Sequence, residues 1–194
     1  MSGIKSVCVY CGASTRVDAV YRDVAARTGE MLAKSGFNVV YGGGRLGLMG
    51  VVADNALANG AHVTGYIPTI LREAEGAHPG LSHLEVVDSM HTRKRKMSEL
   101  ADAFIILPGG FGTLDELFEI LTWRQLQMHD KPIFIINTNG YWEPLKSLIH
   151  NVIEEKFATP AHATFASFVS SVDEAIDMLV DVPEPELGFA GQHV

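Results

Sequence analysis

The clearest structural signal in this chain is the stretch Ala103–Leu121, which reads AFIILPGGFGTLDELFEIL. Its first five residues are apolar without alternation, a pattern typical of a strand that is buried on both faces of a parallel sheet. After a glycine-rich loop, apolar residues recur at the spacing of one helix face: Leu114, Leu117, Phe118 and Leu121. The stretch therefore predicts a buried strand, a loop at its carboxyl end and an amphipathic helix.

The same alternation of short apolar runs and helical patterns extends over most of the chain. The runs that predict strands are Ser6–Tyr10, Phe37–Tyr41, His62–Ile67, Leu84–Val87, Ala103–Leu107 and Pro132–Ile136. The patterns that predict helices are Val17–Ser35, Gly47–Asn59, Thr92–Ala101, Thr113–Met128, Trp142–Phe157 and Val172–Val180. This order predicts an α/β fold with a doubly wound, mostly parallel, Rossmann-like sheet. We expect a single domain over residues 1–180 and a flexible tail over 181–194.

Length, composition and charge limit the classes to which the chain can belong. Its 194 residues are 47% hydrophobic and 20% charged, which excludes a collagen, a coiled coil and a mostly disordered chain. A formal charge of −8 disfavours a nucleic-acid polymer as partner, because like charges repel. No apolar stretch approaches the roughly 20 residues of a membrane span, and the first residues lack the apolar run of a secretory signal. We therefore expect a cytoplasmic protein that acts on a small molecule, away from membranes.

The only cysteines, Cys8 and Cys11, have the spacing C-x-x-C. Two thiols cannot complete a structural zinc site, which usually needs four ligands. A redox pair is an alternative, but that motif normally opens a helix, and here Cys8 lies inside a predicted strand. We favour one core thiol and one thiol at the strand end.

The loop Pro108–Glu116 offers backbone N–H groups, the Thr113 hydroxyl and the positive end of a helix dipole. These groups suit a monophosphate, and Glu116 stands one turn further in, where it would face the attached sugar. The spacing Thr113-x-x-Glu116 also matches a capping box, in which the carboxylate merely accepts from a backbone N–H. The preceding glycines favour the functional interpretation.

A second glycine-rich loop, Gly42–Gly50, contains the pattern G-x-G-x-x-G. It is a weak dinucleotide fingerprint, because it follows the second strand and no acid ends the next strand, at Pro68, to hold a ribose. Its backbone either approaches an anionic ligand or forms a tight turn that needs positive φ. Both interpretations remain open at this stage.

Four cations, from Arg93 to Lys96, crowd the start of a predicted helix, where the helix dipole disfavours positive charge. We expect one or two of them to face an anionic ligand and the others to be solvated. The histidines, His91 and His129 among them, lack metal-binding spacing, and the chain contains neither a Walker lysine nor G-x-S-x-G.

These residues together resemble the LONELY GUY (LOG) proteins, a family that cleaves cytokinin riboside 5′-monophosphates. The family's P-G-G-x-G-T-x-x-E motif corresponds to Pro108–Glu116, and its M-H-x-R-K motif to Met90–Lys94. Further matches are residues 8–12, the loop 41–50, Trp123 and the run His129-Asp130-Lys131-Pro132. The resemblance covers residues 8 to about 157. One departure is Ala13, where many relatives have a second serine before Ser14.

The resemblance implies hydrolysis of an N6-substituted AMP to the free base and ribose 5-phosphate, with no metal or organic cofactor, by a Rossmann-like homodimer. It implies that Arg93 and Glu116 are the catalytic pair. The residues that it assigns to substrate binding are Ser14, Gly43, Glu73, Arg93, Lys94, Gly109, Gly110, Phe111, Gly112, Thr113, Leu114, Asp115 and Thr122.

The chemistry gives these roles a physical basis. Cleavage of a glycosidic bond develops positive charge on the ribose, which a carboxylate beside it stabilises, or the carboxylate activates water. Glu116 would take that role, while Arg93 would polarise the leaving purine or hold the ribose and phosphate.

Three alternatives remain. One is an AMP nucleosidase that acts on unmodified AMP, and another is a nucleotide-binding carrier without turnover. The third, a lysine decarboxylase, requires pyridoxal phosphate, and no lysine has a distinctive setting for it.

Overall fold

In the computed structural model, which describes residues 3–183, the core is a seven-stranded sheet in which every neighbouring pair of strands is parallel. The strands are β1 (Ser6–Tyr10), β2 (Asn38–Tyr41), β3 (Val63–Pro68), β4 (His83–Val87), β5 (Ala103–Ile106), β6 (Ile133–Ile136) and β7 (Ser167–Val169). They lie in the order β4-β3-β2-β1-β5-β6-β7. The described residues therefore confirm the expected α/β, doubly wound fold.

Helices cover both faces of the sheet. They are α1 (Ala19–Lys34), α2 (Gly47–Ala58), α3 (Thr69–Glu75), α4 (Met90–Leu100), α5 (Phe111–Gln125), α6 (Glu143–Glu154) and α7 (Val172–Val180). One apolar cluster lies under α1, α2 and α7, and the other lies under α4, α5 and α6. Successive residues of β1 alternate between the clusters, Val7 in the first and Cys8 in the second, which explains why this strand is apolar without alternation.

The predicted elements are all present, with strand ends within one residue and helix ends within three residues of the prediction. The sequence patterns missed α3 and β7. Helix α3 has only seven residues and buries none of them, so it has no apolar stripe to detect. Strand β7 has three residues at the sheet edge, too few to show a period.

The order of strands determines where two loops meet. The chain builds the sheet in one direction from β1 to β4 and then returns to the other side of β1 with β5. Parallel sheets bind ligands at such a reversal, outside the carboxyl ends of the strands. Here Gly12 N, after β1, donates to Pro108 O, after β5, at 3.1 Å.

The predicted tail falls mostly outside the described residues, which end at residue 183. Before that point, Gly3 N donates to Val182 O at 3.3 Å, so the start of the described chain lies beside the segment after α7. No helix between residues 3 and 183 is long and apolar enough to cross a membrane.

Candidate active site

A cavity of about 460 Å³ opens at the carboxyl ends of β1 and β5. The loops after β1 and β5 and the helices α4 and α5 contribute its glycines and the ion pair described below. The rest of its wall is largely apolar. The lining residues are Cys11, Gly12, Ala13, Ser14, Val17, Tyr21, Leu48, Met49, Leu71, Glu75, Met90, Arg93, Pro108, Gly109, Gly110, Gly112, Thr113, Glu116 and Tyr141.

A buried ion pair faces this cavity. Arg93, on α4, donates from Nη1 to Oε1 of Glu116, on α5, at 2.8 Å, and both side chains are only 7% exposed. The guanidinium also donates from Nε to Tyr66 O at 3.1 Å and from Nη2 to Gly42 O at 3.4 Å. Three acceptors on three different segments thus hold Arg93 in one position.

The close approach of Arg93 explains one glycine of the loop Gly42–Gly50. A Cβ on Gly42 would lie 1.7 Å from Nη2 of Arg93, so only glycine leaves room for the guanidinium. Elsewhere in this loop, Gly43 has φ +74° and Gly47 has φ +58°, as a tight turn requires. The loop Gly42–Gly50 therefore takes the turn conformation and packs against Arg93.

The environment of Glu116 favours its protonated form. Burial raises the pKa of its carboxyl group from 4.5 to about 7, against the opposing effect of the Arg93 charge. A carboxyl group with this pKa exchanges a proton near neutral pH, which suits general acid–base chemistry.

The capping-box interpretation of Glu116 is wrong. Helix α5 begins at Phe111 with Gly110 as its N-cap, so Glu116 lies six residues beyond the cap instead of three. Its carboxylate bonds to Arg93 and not to a backbone N–H. Gly110 provides no side chain to accept from the first amides of α5.

The glycines after β5 fall into two kinds. A Cβ on Gly109 would lie 2.0 Å from Oγ1 of Thr113, so this glycine is enclosed by the protein itself. A Cβ on Gly110 or Gly112 would meet no atom within 4 Å, and neither residue has positive φ. Neither sterics nor backbone conformation within the described residues requires glycine at these two positions, which leaves the N-terminus of α5 open to a ligand.

Seven of the residues predicted for the site line the cavity: Ser14, Arg93, Gly109, Gly110, Gly112, Thr113 and Glu116. Their assigned roles remain predictions, but the structure brings them together from segments far apart in the chain.

Seven predicted residues lie outside the cavity lining, and Lys94 and Asp115 are two of them. The side chain of Lys94 is buried and pairs with Asp115 at 3.0 Å and Glu119 at 3.1 Å. Burial alone would lower the pKa of Lys94, but these two carboxylates raise it. The other positions outside the cavity lining are Gly43, Glu73, Phe111, Leu114 and Thr122.

The four cations differ in burial, and of the four only Arg93 lines the cavity, so a contact with an anionic ligand stays a prediction. Arg93 and Lys94 are buried, whereas Arg95 pairs with Glu99 at 3.2 Å and Lys96 with Glu85 at 2.6 Å, both at the surface. Ser89 caps the N-terminus of α4, accepting from Thr92 N at 3.1 Å, and each of the four cations pairs with at least one carboxylate, which offsets the unfavourable helix dipole.

The cavity also contains residues that the sequence patterns did not single out. Glu75 and Leu71 come from α3, and Tyr141 follows a short 3-10 helix, Thr138–Gly140, after β6. The signal for Tyr141 was its place beyond the carboxyl end of a predicted strand, where side chains can reach a ligand.

Cys8 and Cys11 are unpaired and buried, as the core interpretation expected. Among residues 3–183 there is no group of three or more His, Cys, Asp or Glu side chains placed to hold a metal ion.

Comparison with known proteins finds similarity over most of the chain. A family model described as "Possible lysine decarboxylase" matches residues 49–179. The chain is 45% identical over 173 residues to a cytokinin riboside 5′-monophosphate phosphoribohydrolase of Rhodococcoides fascians, covering 89% of this chain and 87% of that protein. It is 40% identical over 186 residues to an Arabidopsis thaliana protein of the same name, covering 95% of this chain and 87% of that protein.

Solved structures show the same fold at lower identity. A molybdenum cofactor carrier protein from Chlamydomonas reinhardtii superposes with a TM-score of 0.71 at 16% identity, covering 90% of this chain and 95% of that one. A molybdenum cofactor binding protein from Rippkaea orientalis gives 0.69 at 16% identity, covering 90% and 94%. At such identity the likeness concerns the fold alone.

The description of the family model can be tested against the cavity. A decarboxylase that uses pyridoxal phosphate needs a lysine amine facing the cofactor to form the Schiff base. The cavity lining, all of it within the described residues, contains no lysine. The residues present do not fit that chemistry.

Proposed function

The chain belongs to the LONELY GUY (LOG) family of cytokinin riboside 5′-monophosphate phosphoribohydrolases, and on this premise we propose that it hydrolyses the N-glycosidic bond of N6-substituted adenosine 5′-monophosphates. The bond between ribose C1′ and purine N9 breaks, the oxygen of a water molecule adds to C1′, and a proton goes to the base. The products are the free base and ribose 5-phosphate. The observation that carries the proposal is the buried Glu116 carboxylate, which faces the same cavity as the open glycines after β5.

The N-terminus of α5 is proposed to bind the phosphate. The first N–H groups of a helix have no acceptor within the helix, and the helix dipole favours an anion there. Gly110 and Gly112 let the phosphate approach the backbone closely, and the Thr113 side chain lines the same cavity. No positive side chain is needed for this, in keeping with Lys94 lying outside the cavity lining.

Glu116 is proposed to act on the ribose. It lies six residues beyond Gly110 along α5, about 9 Å at a rise of 1.5 Å per residue, which leaves room for the sugar between phosphate and carboxylate. As a carboxylate it stabilises the positive charge that develops at C1′ and accepts a proton from the attacking water. A pKa near 7 provides both forms at neutral pH.

Arg93 is proposed to orient Glu116 and to place a positive charge beside the departing base. Its three hydrogen bonds fix the guanidinium, and the Glu116 carboxylate with it. A guanidinium does not release its proton at neutral pH, so its contribution is electrostatic and not that of a general acid.

The apolar part of the wall supports a substituted base as substrate. Val17, Leu48, Met49 and Leu71 line the same cavity as the ion pair. An apolar N6 substituent would pack against these side chains and remove its own surface and theirs from water. Unmodified AMP would leave the same side chains exposed to water.

We also propose a homodimer, formed through an apolar groove on α5 and α6. The groove, about 220 Å³, is lined by Phe118 and Leu148, which are 41% and 50% exposed, and Thr122 lies on the same face. Thr122 is therefore available to a nucleotide only if that nucleotide occupies the cavity of a second copy.

Two unpaired cysteines, buried in different core clusters, agree with the reducing cytoplasm as the proposed location.

The proposal is tested by product analysis after incubation with N6-isopentenyl-AMP, AMP and N6-isopentenyladenosine in parallel. Release of base mainly from the substituted monophosphate is the expected result. Equal or faster release from AMP would make the protein an AMP nucleosidase. Nucleotide binding without release of base from any compound would place it among carriers.

A further inference from the structure

The hydroxyl of Tyr141 bonds to the glycine loop from a distant part of the chain. Its Oη donates a hydrogen bond of 2.7 Å to the carbonyl oxygen of Gly109. We propose that Tyr141 is a positioning residue for phosphate binding: it holds the Gly109–Gly110 peptide so that the N–H of Gly110 faces the anion. The inference rests on the proposed function, since the anion is the phosphate of the substrate.

The peptide bond between Gly109 and Gly110 links the orientation of the Gly109 carbonyl to that of the Gly110 N–H. The described residues contain no cis peptide bond, and in a trans peptide the C=O and N–H groups point in opposite directions. Holding Gly109 O toward Tyr141 therefore directs the N–H of Gly110 away from Tyr141. Within the described part of the chain that N–H has no acceptor, and its residue lines the cavity as the N-cap of α5.

The other side of Gly109 is closed, which limits how the loop can move. A Cβ on Gly109 would lie 2.0 Å from Oγ1 of Thr113, and a Cβ on Gly12 would lie 3.2 Å from Gly109 Cα. Without the Tyr141 hydroxyl, the freedom left to this segment is rotation of the peptide plane. Such a rotation turns the Gly109 carbonyl toward the phosphate, where the partial negative charge of the carbonyl oxygen repels the anion.

Tyr141 is itself held in place. Asn139 and Gly140 have positive φ, +51° and +72°, and turn the chain back beyond the end of β6. The ring of Tyr141 then packs edge-on against Trp142, which is 3% exposed, at 4.8 Å, and against Tyr21 at 5.6 Å. The hydroxyl is thus positioned before a ligand arrives, at little further cost in side-chain entropy.

The test compares affinities for AMP and adenosine, measured by calorimetry, in the wild-type protein, Tyr141→Phe and Thr164→Val. Tyr141→Phe keeps the ring packing and removes one hydrogen bond, so we expect a loss of AMP affinity of about three- to tenfold. The affinity for adenosine, which has no phosphate, should not change. Thr164→Val is the control, because it also removes one hydroxyl that donates to a backbone carbonyl, here to Ala161 O at 2.9 Å, but outside the cavity lining; we expect it to keep the wild-type ratio of the two affinities.

In turnover of N6-isopentenyl-AMP, Tyr141→Phe should raise KM by the same factor and leave kcat unchanged, because Glu116 is not affected. An equal loss of AMP and adenosine affinity would make Tyr141 a wall contact and overturn the inference, as would no loss at all. If the wild-type protein binds AMP but releases no base, the proposed hydrolysis fails, while a selective loss of AMP affinity still supports the role of Tyr141.

Discussion

At the scale of single residues, Glu116 is the group on which the proposed chemistry depends. Glu116→Gln keeps the shape and an oxygen that accepts from Arg93, but it removes the negative charge and the base. We expect kcat with N6-isopentenyl-AMP to fall by a factor of roughly 10² to 10⁴, the usual contribution of a general base. AMP binding, measured by calorimetry, should stay within a few-fold of the wild-type value.

Glu119→Gln is the matched control for this substitution. Glu119 lies on the same helix and contacts Lys94, which keeps Asp115 as a second partner, so the variant should retain activity. A Glu116→Gln protein with a near wild-type rate would remove Glu116 from the mechanism.

The raised pKa of Glu116 also predicts how stability depends on pH. Between 4.5 and about 7 the folded chain binds more protons at this site than the unfolded chain, so the free energy of unfolding falls as pH rises. At about 1.4 kcal/mol per pKa unit the contribution is of the order of 3 kcal/mol, complete below the unfolded pKa and lost once the folded pKa is passed.

Gln does not titrate, so the difference in free energy of unfolding between wild type and Glu116→Gln isolates this contribution. Urea denaturation at a series of pH values should show the difference falling across that window, while the difference for Glu119→Gln shows no such fall. A difference for Glu116→Gln that does not change with pH would mean that Glu116 has an ordinary pKa.

The sequence patterns singled out Glu116, and the family resemblance implied Arg93 as its catalytic partner, but neither determines which way the neighbouring side chains face. Four consecutive cations look alike in a sequence, and burial of Arg93 depends on acceptors from β3 and from the loop after β2. Tyr141 escaped detection for the same reason, since its partner Gly109 lies 32 residues away in the chain.

At the scale of elements, the N-terminus of α5 contains two glycines, Gly110 and Gly112, at positions where the protein itself leaves space for a larger side chain. Gly112→Ala introduces a methyl group that meets no atom within 4 Å and improves helix propensity. We therefore expect unchanged or slightly higher stability, by up to about 1 kcal/mol, in urea denaturation. KM for the monophosphate should nevertheless rise, because the methyl group stands where the phosphate approaches the backbone.

Gly60→Ala provides the contrasting case. Gly60 also has open space around it, but its φ of +87° strains any other residue. This variant should lose about 1 kcal/mol or more of stability and keep the wild-type KM. If Gly112→Ala leaves KM unchanged, the phosphate does not bind at this helix end.

The helix boundaries show where local patterns stop being informative. The apolar stripe predicted α5 correctly, but its N-cap is Gly110, which has no capping side chain, and its first turn contains Gly112, so the pattern placed the start two residues late, at Thr113. That shift made Glu116 resemble a capping residue. Tertiary contacts, above all the bond to Arg93, determine its actual role.

At the scale of the whole molecule, the position of the cavity follows from the order of strands. Apolar runs predicted the α/β class, because a doubly covered sheet buries every residue of its central strands. They contained no information on strand order, and only the placement of β5 beside β1 brings the two loops together. The pairing of Glu116 with Arg93 therefore depends on topology.

The proposed homodimer predicts complementation between two defective variants. Thr122→Ala would impair the cavity of the neighbouring copy, whereas Glu116→Gln impairs the cavity of its own copy. In a mixed dimer one of the two cavities then combines an intact Glu116 with an intact Thr122. Random pairing of equal amounts of the two variants makes about half of the dimers mixed. Co-refolding should therefore restore about a quarter of the wild-type activity per site. Leu148→Asp, at an exposed position of the α6 groove, should give monomers in light scattering and abolish the recovery when it is present in both variants. Variants that remain dimeric yet show no recovery would mean that Thr122 does not serve the neighbouring cavity.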